Sequence, residues 1–227
     1  MSRWQAVAFD LDDTLYPERQ YVLSGMRAVA AWAERDLGFP AERTRVELYE
    51  LFDGGERGHT FDRWLQAHGL PPDGLLDRMV EIYRNHPPQI EPYPEVPSLL
   101  QRLGASLPLG LLTDGHLEVQ RRKLAALGLD EHFRAIVYTD ALGRDAWKPS
   151  PRPFYHLLEQ LAVPPAAAVY VADNPAKDYR GARSAGMATI RVRRADGLYR
   201  DLEPRSAADA PDFEIDSLEA LLAEPLG

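Results

Sequence analysis

Five short apolar runs, rich in valine, isoleucine, leucine and aromatic residues, divide the chain. Each has the length of a strand that is buried on both faces of a sheet. In chain order the runs are residues 4–9, 107–112, 135–139, 168–172 and 189–192. Segments of helical periodicity accompany the later four runs. This alternation predicts βαβ units and therefore a parallel sheet.

The helical segments are recognised by apolar residues spaced three and four apart. One segment begins near Val96, a second leads to Gly128 as its C-cap, and a third ends before Pro164. Near the C-terminus, Asp216 and Glu219 have the spacing of a capping pair. This pair predicts a last helix.

The segment from about residue 18 to residue 90 breaks the alternation. It has no convincing strand and contains four amphipathic helical stretches, which include Met26, Leu48, Trp64 and Met79. Several prolines between residues 87 and 97 mark the return to the alternating pattern. The pattern therefore predicts a core domain of residues 1–17 and 91–227, with an all-helical domain of residues 18–90 inserted after the first strand.

Composition narrows the class of protein. A formal net charge of −9 argues against a nucleic-acid partner, and the absence of cysteine excludes disulfides and thiolate metal sites. No apolar run is long enough to cross a bilayer, and the first strand begins too early to leave room for a signal peptide. We therefore expect a cytoplasmic protein without a membrane partner. The sequence does not distinguish a monomer from a homodimer.

Chemically reactive side chains follow four of the predicted strands. They are Asp10 with Asp12, Thr113, Lys148, and Asp173 with Asp178. Because ligands bind beyond the carboxyl ends of parallel strands, we expect these side chains to converge. Together they suit phosphoryl transfer, which needs a cation and hydrogen-bond donors at the phosphate and an in-line nucleophile. Taken singly, each has a simpler interpretation as a turn or capping residue, and Asp178 can simply begin a helix.

In this order the residues resemble the four motifs of the haloacid dehalogenase superfamily. The motifs are Asp10-Leu11-Asp12-Asp13-Thr14-Leu15, the strand ending in Thr113, Lys148-Pro149, and Asp173-Asn174-Pro175-Ala176-Lys177-Asp178. The resemblance covers nearly the whole chain. It implies an α/β fold whose core is a Rossmann-like, doubly wound parallel sheet, with a helical cap domain inserted after the first motif.

The resemblance also implies a role for each catalytic residue. Asp10 is expected to attack phosphorus and to become an aspartyl-phosphate. Asp12 is expected to protonate the leaving oxygen and then to activate the water that hydrolyses the intermediate. Thr113 is expected to hydrogen-bond a phosphoryl oxygen, and Lys148 to neutralise charge on the nucleophile and the phosphate.

A magnesium site follows from the same resemblance. Its expected ligands are the carboxylates of Asp10 and Asp173 and the main-chain carbonyl of Asp12. Asp178 is expected to orient this shell or to coordinate through water. Oxygen ligands of this kind suit Mg²⁺, which is the predicted cofactor.

The second motif and Lys148 are expected to contact the substrate. The predicted contacts are Thr113, Asp114, Gly115, His116 and Lys148. The family commonly has asparagine where this chain has Asp114. A carboxylate beside a phosphate is unfavourable, so we expect the Asp114 side chain to point away and the main-chain N–H groups of Asp114 and Gly115 to serve as donors.

Other charged and aromatic residues near the motifs are interpreted more simply. Three in the inserted domain are read as solvated surface: Arg57, His59 and Arg63. Trp147 is expected to pack beside Lys148. Three arginines alternate with apolar residues and predict the polar face of an edge strand: Arg191, Arg193 and Arg194.

These residues predict a Mg²⁺-dependent phosphomonoester hydrolase. The expected substrate is a small phosphorylated metabolite such as a sugar phosphate or a nucleotide. The alternatives are a 2-haloacid dehalogenase, a phosphomutase and a binding protein without activity. Asp12 argues against the dehalogenase, because cleavage of a carbon–halogen bond needs no acid for the halide and the family's dehalogenases lack an acid there. A complete catalytic set argues against the binding protein.

Overall fold

The computed structural model describes residues 4–222 of the chain. The chain forms two compact units. One consists of the described residues up to Glu18 and from Glu91 onward, and the other is Arg19–Ile90. Within residues 4–222, none of the helices combines the length and the apolar composition that a membrane crossing requires.

The first unit is built on a six-stranded parallel sheet. The strands are β1 (Ala6–Phe9), β2 (Leu109–Thr113), β3 (Ala135–Tyr138), β4 (Ala168–Ala172), β5 (Ala188–Val192) and β6 (Phe213–Ile215). Their order across the sheet is β3-β2-β1-β4-β5-β6, and all neighbours run parallel. The chain builds outward from β1 to β3 and then continues from β4 on the other side of β1. This topology confirms the predicted α/β, doubly wound fold.

The second unit is helical, and residues 19–90 contain no strand. Its helices are α1 (Glu18–Leu37), α2 (Ala41–Asp53), α3 (Thr60–Ala67) and α4 (Leu75–Asn85). Leu48, Trp64 and Met79, one from each of α2, α3 and α4, are buried. Gly25 lets α1 and α4 approach closely, because a Cβ at this position would lie 2.4 Å from Cδ2 of Tyr83.

Further helices of the first unit pack beside the sheet. They are α5 (Val96–Gly104), α6 (Leu117–Leu127), α7 (Arg152–Leu161) and α8 (Asp178–Ser184). Gly110 in β2 admits α7, since a Cβ there would lie only 3.0 Å from Cδ1 of Leu157. Gly128 ends α6 with a φ of 64°, as the sequence predicts.

The predicted edge position of the arginine-rich strand is wrong. β6 pairs with β5, so β5 is internal to the sheet. Arg191 on β5 is completely buried. Its guanidinium donates to the main-chain oxygens of Tyr199 and Leu202, each at 2.9 Å. Arg191 thus holds the loop that follows β5, and a strand as short as β6 is beyond what periodicity detects.

The predicted last helix is a 3₁₀ helix, Leu218–Leu222, as far as the described residues reach. The N–H of Glu219 donates to Oγ of Ser217 at 3.2 Å. Ser217, rather than Asp216, therefore supplies the side-chain acceptor at its start.

Candidate active site

The carboxyl ends of the strands bring the predicted site residues together. Asp10 follows β1, Thr113 ends β2 and Asp173 follows β4. A cavity of about 370 Å³ lies at this edge of the sheet. It is lined by Asp10, Asp12, Glu18, Asp114, Gly115, Gln120, Trp147, Lys148, Asp173, Lys177 and Tyr199.

Lys148 lies between two carboxylates. Its Nζ is 2.9 Å from Oδ1 of Asp10 and 2.6 Å from Oδ1 of Asp178, and it donates to the hydroxyl of Tyr170 at 3.1 Å. The side chain is completely buried. Burial alone lowers the pKa of a lysine, but Asp10 and Asp178 outweigh it and raise the pKa of Lys148. A protonated ammonium group is therefore held against Asp10.

Three carboxylates form a cluster that is short of positive charge. Oxygens of Asp10, Asp173 and Asp178 all lie within 4.8 Å of one another. Burial, followed by the charges of Asp178 and Asp10, raises the pKa of Asp173 well above its usual value. Burial also raises the pKa of Asp10, although Lys148 opposes the rise.

The buried Oδ2 of Asp173 has no hydrogen-bond partner among the residues that the structure describes. Such an orphaned oxygen is costly unless a cation faces it. Three clustered carboxylates and one orphaned oxygen match the ligands that a hard divalent cation prefers. The residues present therefore fit a divalent metal.

Asp12, unlike the three clustered carboxylates, is surrounded by hydrogen-bond donors. Its Oδ1 accepts from Nζ of Lys123 at 2.6 Å and from the hydroxyl of Tyr16, and its Oδ2 accepts from Nε2 of Gln120 at 3.2 Å. Burial opposes ionisation of this carboxyl, but Lys123 prevails and lowers the pKa of Asp12. Its side chain is turned to its own set of donors, and it is not part of the three-carboxylate cluster.

Sequence reasoning did not select Lys123, Gln120 or Tyr16. Gln120 and Lys123 are one turn apart on α6, and both are buried. Lysine and glutamine in an amphipathic helix usually lie on its solvated face, so their residue types alone do not indicate a site. The available signal is their helical spacing, because Gln120 precedes Leu124 by four residues and Lys123 precedes Leu127 by four, which places both on the apolar face of the helix.

Asp178 satisfies both interpretations made from sequence. It is the first residue of α8, and its Oδ2 accepts the N–H of Asn174 at 2.9 Å. Its Oδ1 also accepts from Lys148. Lys177, one residue earlier, brings a second lysine to the cavity lining.

The second motif contributes unequally to the cavity. Thr113 is fully buried and donates to Oε1 of Gln120 at 3.3 Å. His116 precedes α6, with its ring edge-on to Trp147 at 6.2 Å. Among the described residues, neither Thr113 nor His116 lines the cavity. Their substrate contacts remain predictions.

The Asp114 side chain accepts hydrogen bonds from other residues of the protein. Its Oδ1 accepts from Oγ1 of Thr139 at 2.7 Å and from the main-chain N–H of Lys148 at 3.2 Å. Gly115 follows with a φ of 122°, and a Cβ there would lie 2.6 Å from Nε2 of Gln120. A side chain at this position would therefore be strained and would displace a donor of Asp12.

Asp13, to which the sequence assigned no role, joins two segments beside the cavity. Its carboxylate accepts the main-chain N–H groups of Glu18 and Leu198, each at 2.8 Å. Glu18 and Tyr199 both line the cavity. Burial raises the pKa of Asp13 to about 6, against the two N–H donors, and burial together with Asp12 raises that of Glu18 to about 7.

Comparison with known proteins places the chain among relatives of similar length. A glyceraldehyde 3-phosphate phosphatase of Methanopyrus kandleri is 38% identical, over 96% of this chain and 95% of that protein. An (S)-2-haloacid dehalogenase of Xanthobacter autotrophicus is 28% identical, over 94% and 92%. The crystal structure of a HAD phosphatase from Thermococcus onnurineus has a TM-score of 0.61 at 26% identity, over 96% of this chain and 95% of that one.

The sequence pattern of the haloacid dehalogenase-like hydrolases matches residues 4–186. That range includes all four motifs that the sheet brings to one edge. The chain therefore belongs to the haloacid dehalogenase-like hydrolase family.

Proposed function

We propose that this enzyme is a Mg²⁺-dependent phosphomonoester hydrolase that works through an aspartyl-phosphate on Asp10. The observation that carries the proposal is that two aspartates only two residues apart contact different side chains. Asp10 faces Lys148 and the acidic cluster, whereas Asp12 faces Lys123 and Gln120. One carboxylate is thus set beside a cation site, and the other is held apart for proton transfer.

Asp10, Asp173 and Asp178 are the residues that would hold the metal, with the main-chain carbonyl of Asp12 as predicted. A divalent cation held there would supply positive charge to neutralise the phosphoryl oxygens. The Lys148 ammonium group adds a second positive charge next to Asp10. The attacking carboxylate and the anionic phosphate can then approach each other.

The reaction proceeds in two steps on the chain's own residues. The Asp10 carboxylate bonds to phosphorus as the bond to the ester oxygen breaks, and Asp12 gives that oxygen its proton. Asp12, now ionised, takes a proton from water, whose oxygen attacks the aspartyl-phosphate and releases phosphate with Asp10 restored. Asp12 must begin protonated, and the incoming phosphoryl charge favours this form.

The substrate class that we propose is a short sugar phosphate. The similarity to the glyceraldehyde 3-phosphate phosphatase of Methanopyrus kandleri supports it. A cavity of about 370 Å³ is of a size for such a ligand. We expect the helical unit, Arg19–Ile90, to act as the cap domain of this phosphatase. Arg57, His59 and Arg63 are exposed on it.

The alternative of a 2-haloacid dehalogenase is represented by the Xanthobacter relative. A dehalogenase has no need for an acid at Asp12, because halide leaves without a proton. In this chain Asp12 is instead held by an elaborate donor set. The arrangement supports the phosphatase.

The test measures phosphate release from p-nitrophenyl phosphate and glyceraldehyde 3-phosphate, with Mg²⁺ and with chelator. We expect activity only with Mg²⁺, and we expect Asp10→Asn to lower it by at least about 10⁴-fold with an unchanged circular dichroism spectrum. Asp145→Asn is the matched control, because Asp145 is exposed and pairs with Arg152 at the surface. Chloride release from 2-chloropropionate, without phosphatase activity, would refute the proposal.

A further inference from the structure

We propose that Lys123 is a positioning residue for the reaction, and that it acts by orienting the Asp12 carboxylate for proton transfer. Resting on the proposed function, this inference adds a role on α6, outside the four sequence motifs. Lys123 and Asp12 are 111 positions apart in the chain and 2.6 Å apart at Nζ and Oδ1.

The two oxygens of Asp12 are held differently. Oδ1 receives the ammonium group of Lys123 and the hydroxyl of Tyr16. Among the hydrogen bonds of the described residues, Oδ2 accepts one, the longer bond from Gln120 at 3.2 Å. Charge-assisted donors hold a carboxylate oxygen more strongly than an amide does. Oδ1 is therefore the anchored oxygen, and Oδ2 is the one left to exchange a proton.

An anchor is needed because Asp12 lies just beyond β1, where the sheet no longer restrains the chain. β1 ends at Phe9, and among residues 4–222 Asp12 pairs only through an isolated bridge to Tyr16. A carboxylate in such a turn can rotate about its side-chain bonds. Proton transfer requires the oxygen to stay within hydrogen-bond reach of the leaving group, so a fixed rotamer favours the reaction.

Lys123 reaches the chemistry through Asp12 and not through substrate. Its side chain is 4% exposed, against 14% for Asp12. Lys148 and Lys177 line the cavity, whereas Lys123 does not. This separation distinguishes Lys123 from the two lysines that can meet a phosphate.

The test exploits the acidity of the leaving group. p-Nitrophenol is a stronger acid than phenol, so p-nitrophenyl phosphate needs less proton donation than phenyl phosphate of nearly the same size. In Lys123→Met we expect kcat/KM to fall about 100-fold for phenyl phosphate and about 10-fold for p-nitrophenyl phosphate. Lys123→Arg should restore much of the loss, because arginine can still donate to Oδ1.

The matched control is Arg121→Met on the same helix. Arg121 is 55% exposed and pairs with Glu118 at 2.9 Å. We expect this variant to retain the wild-type kcat/KM for both esters, since a surface ion pair contributes little.

A double-mutant cycle asks whether Lys123 works through Asp12. In an Asp12→Asn background, Lys123→Met should lower the single-turnover release of p-nitrophenol by less than about twofold, because residues that act as a unit are not additive. If the loss is instead equal for the two esters and persists in this background, Lys123 has a merely structural role and the proposal is overturned.

Tyr16→Phe covers the case in which Lys123→Met does not fold. This change removes only the second donor to Oδ1, and it should again reduce kcat/KM more for phenyl phosphate than for p-nitrophenyl phosphate. An equal reduction for both esters contradicts the positioning role and leaves the phosphatase function standing. A wild-type enzyme that cleaves neither ester with Mg²⁺ overturns the phosphatase function, and the role of Lys123 with it.

Discussion

The surroundings of Asp10 and of Asp12 differ in the balance of charge. At Asp10, one lysine serves two carboxylates and Asp173 adds a third acid. At Asp12, one carboxylate is served by a lysine, an amide and a phenol. Accordingly, burial raises the pKa of Asp10, whereas Lys123 overcomes burial and lowers that of Asp12. Two aspartates that lie close together in the chain thus differ in chemistry because their side chains contact different partners.

Removal of the lysine beside Asp10 is expected to have the largest effect. Lys148→Met leaves two buried carboxylates without their shared cation. We expect a loss of about 3–5 kcal/mol in the free energy of unfolding in the absence of metal and a fall in kcat of about 10²–10³-fold. Urea unfolding and steady-state kinetics measure the two effects.

Arg152→Met is the control for Lys148→Met. Arg152 pairs with Asp145 at the surface at 3.0 Å, so its loss should change stability by less than about 1 kcal/mol. A Lys148→Met protein as stable and active as the control would show that the Asp10 side is not short of positive charge.

Asp13 is an acid whose described hydrogen bonds all come from main-chain N–H groups. Its folded-state pKa of about 6 is above the usual 3.8. The stability that it contributes is therefore complete below pH 4 and is lost as the pH rises through about 6, by about 3 kcal/mol in all. We expect urea unfolding of wild type to show this decline relative to Asp13→Asn. A constant difference between the two proteins from pH 4 to pH 8 would contradict it.

The metal offers the mildest test, because it compensates charge without a mutation. At a hundredfold excess over its dissociation constant, Mg²⁺ should stabilise the fold by about 2.7 kcal/mol, seen as a rise in Tm. Asp173→Asn should abolish most of the rise. Asp12→Asn should retain it, because only the main-chain carbonyl of Asp12 is expected to bind the metal. The reverse pattern would place the cation on the Asp12 side.

The sequence pattern predicts the long strands of the sheet but not its shortest strand. The run at residues 168–172 coincides with β4, because a strand buried on both faces is continuously apolar. β6 escaped prediction, since three residues carry no usable period. Without β6 the sequence pattern predicts an edge strand at Arg191, although the guanidinium of Arg191 is buried against main-chain oxygens.

The amino-acid sequence specifies the helices and strands and the reactive side chains that follow them. Apolar runs and helical spacing specify the βαβ order, and Asp10, Asp12, Lys148 and Asp173 follow the strands in the order of a known family. Local pattern suffices for this, because burial on a sheet or a helix face selects residue types at short range.

The partners of each acidic side chain depend on the tertiary structure. The contact of Lys123 with Asp12 depends on how α6 lies beside the end of β1, and that of Asp13 with Leu198 depends on the loop after β5. Charges so distant in sequence interact strongly once burial removes the water between them. That is why Asp10 and Asp12, equivalent as residues, acquire opposite shifts in pKa.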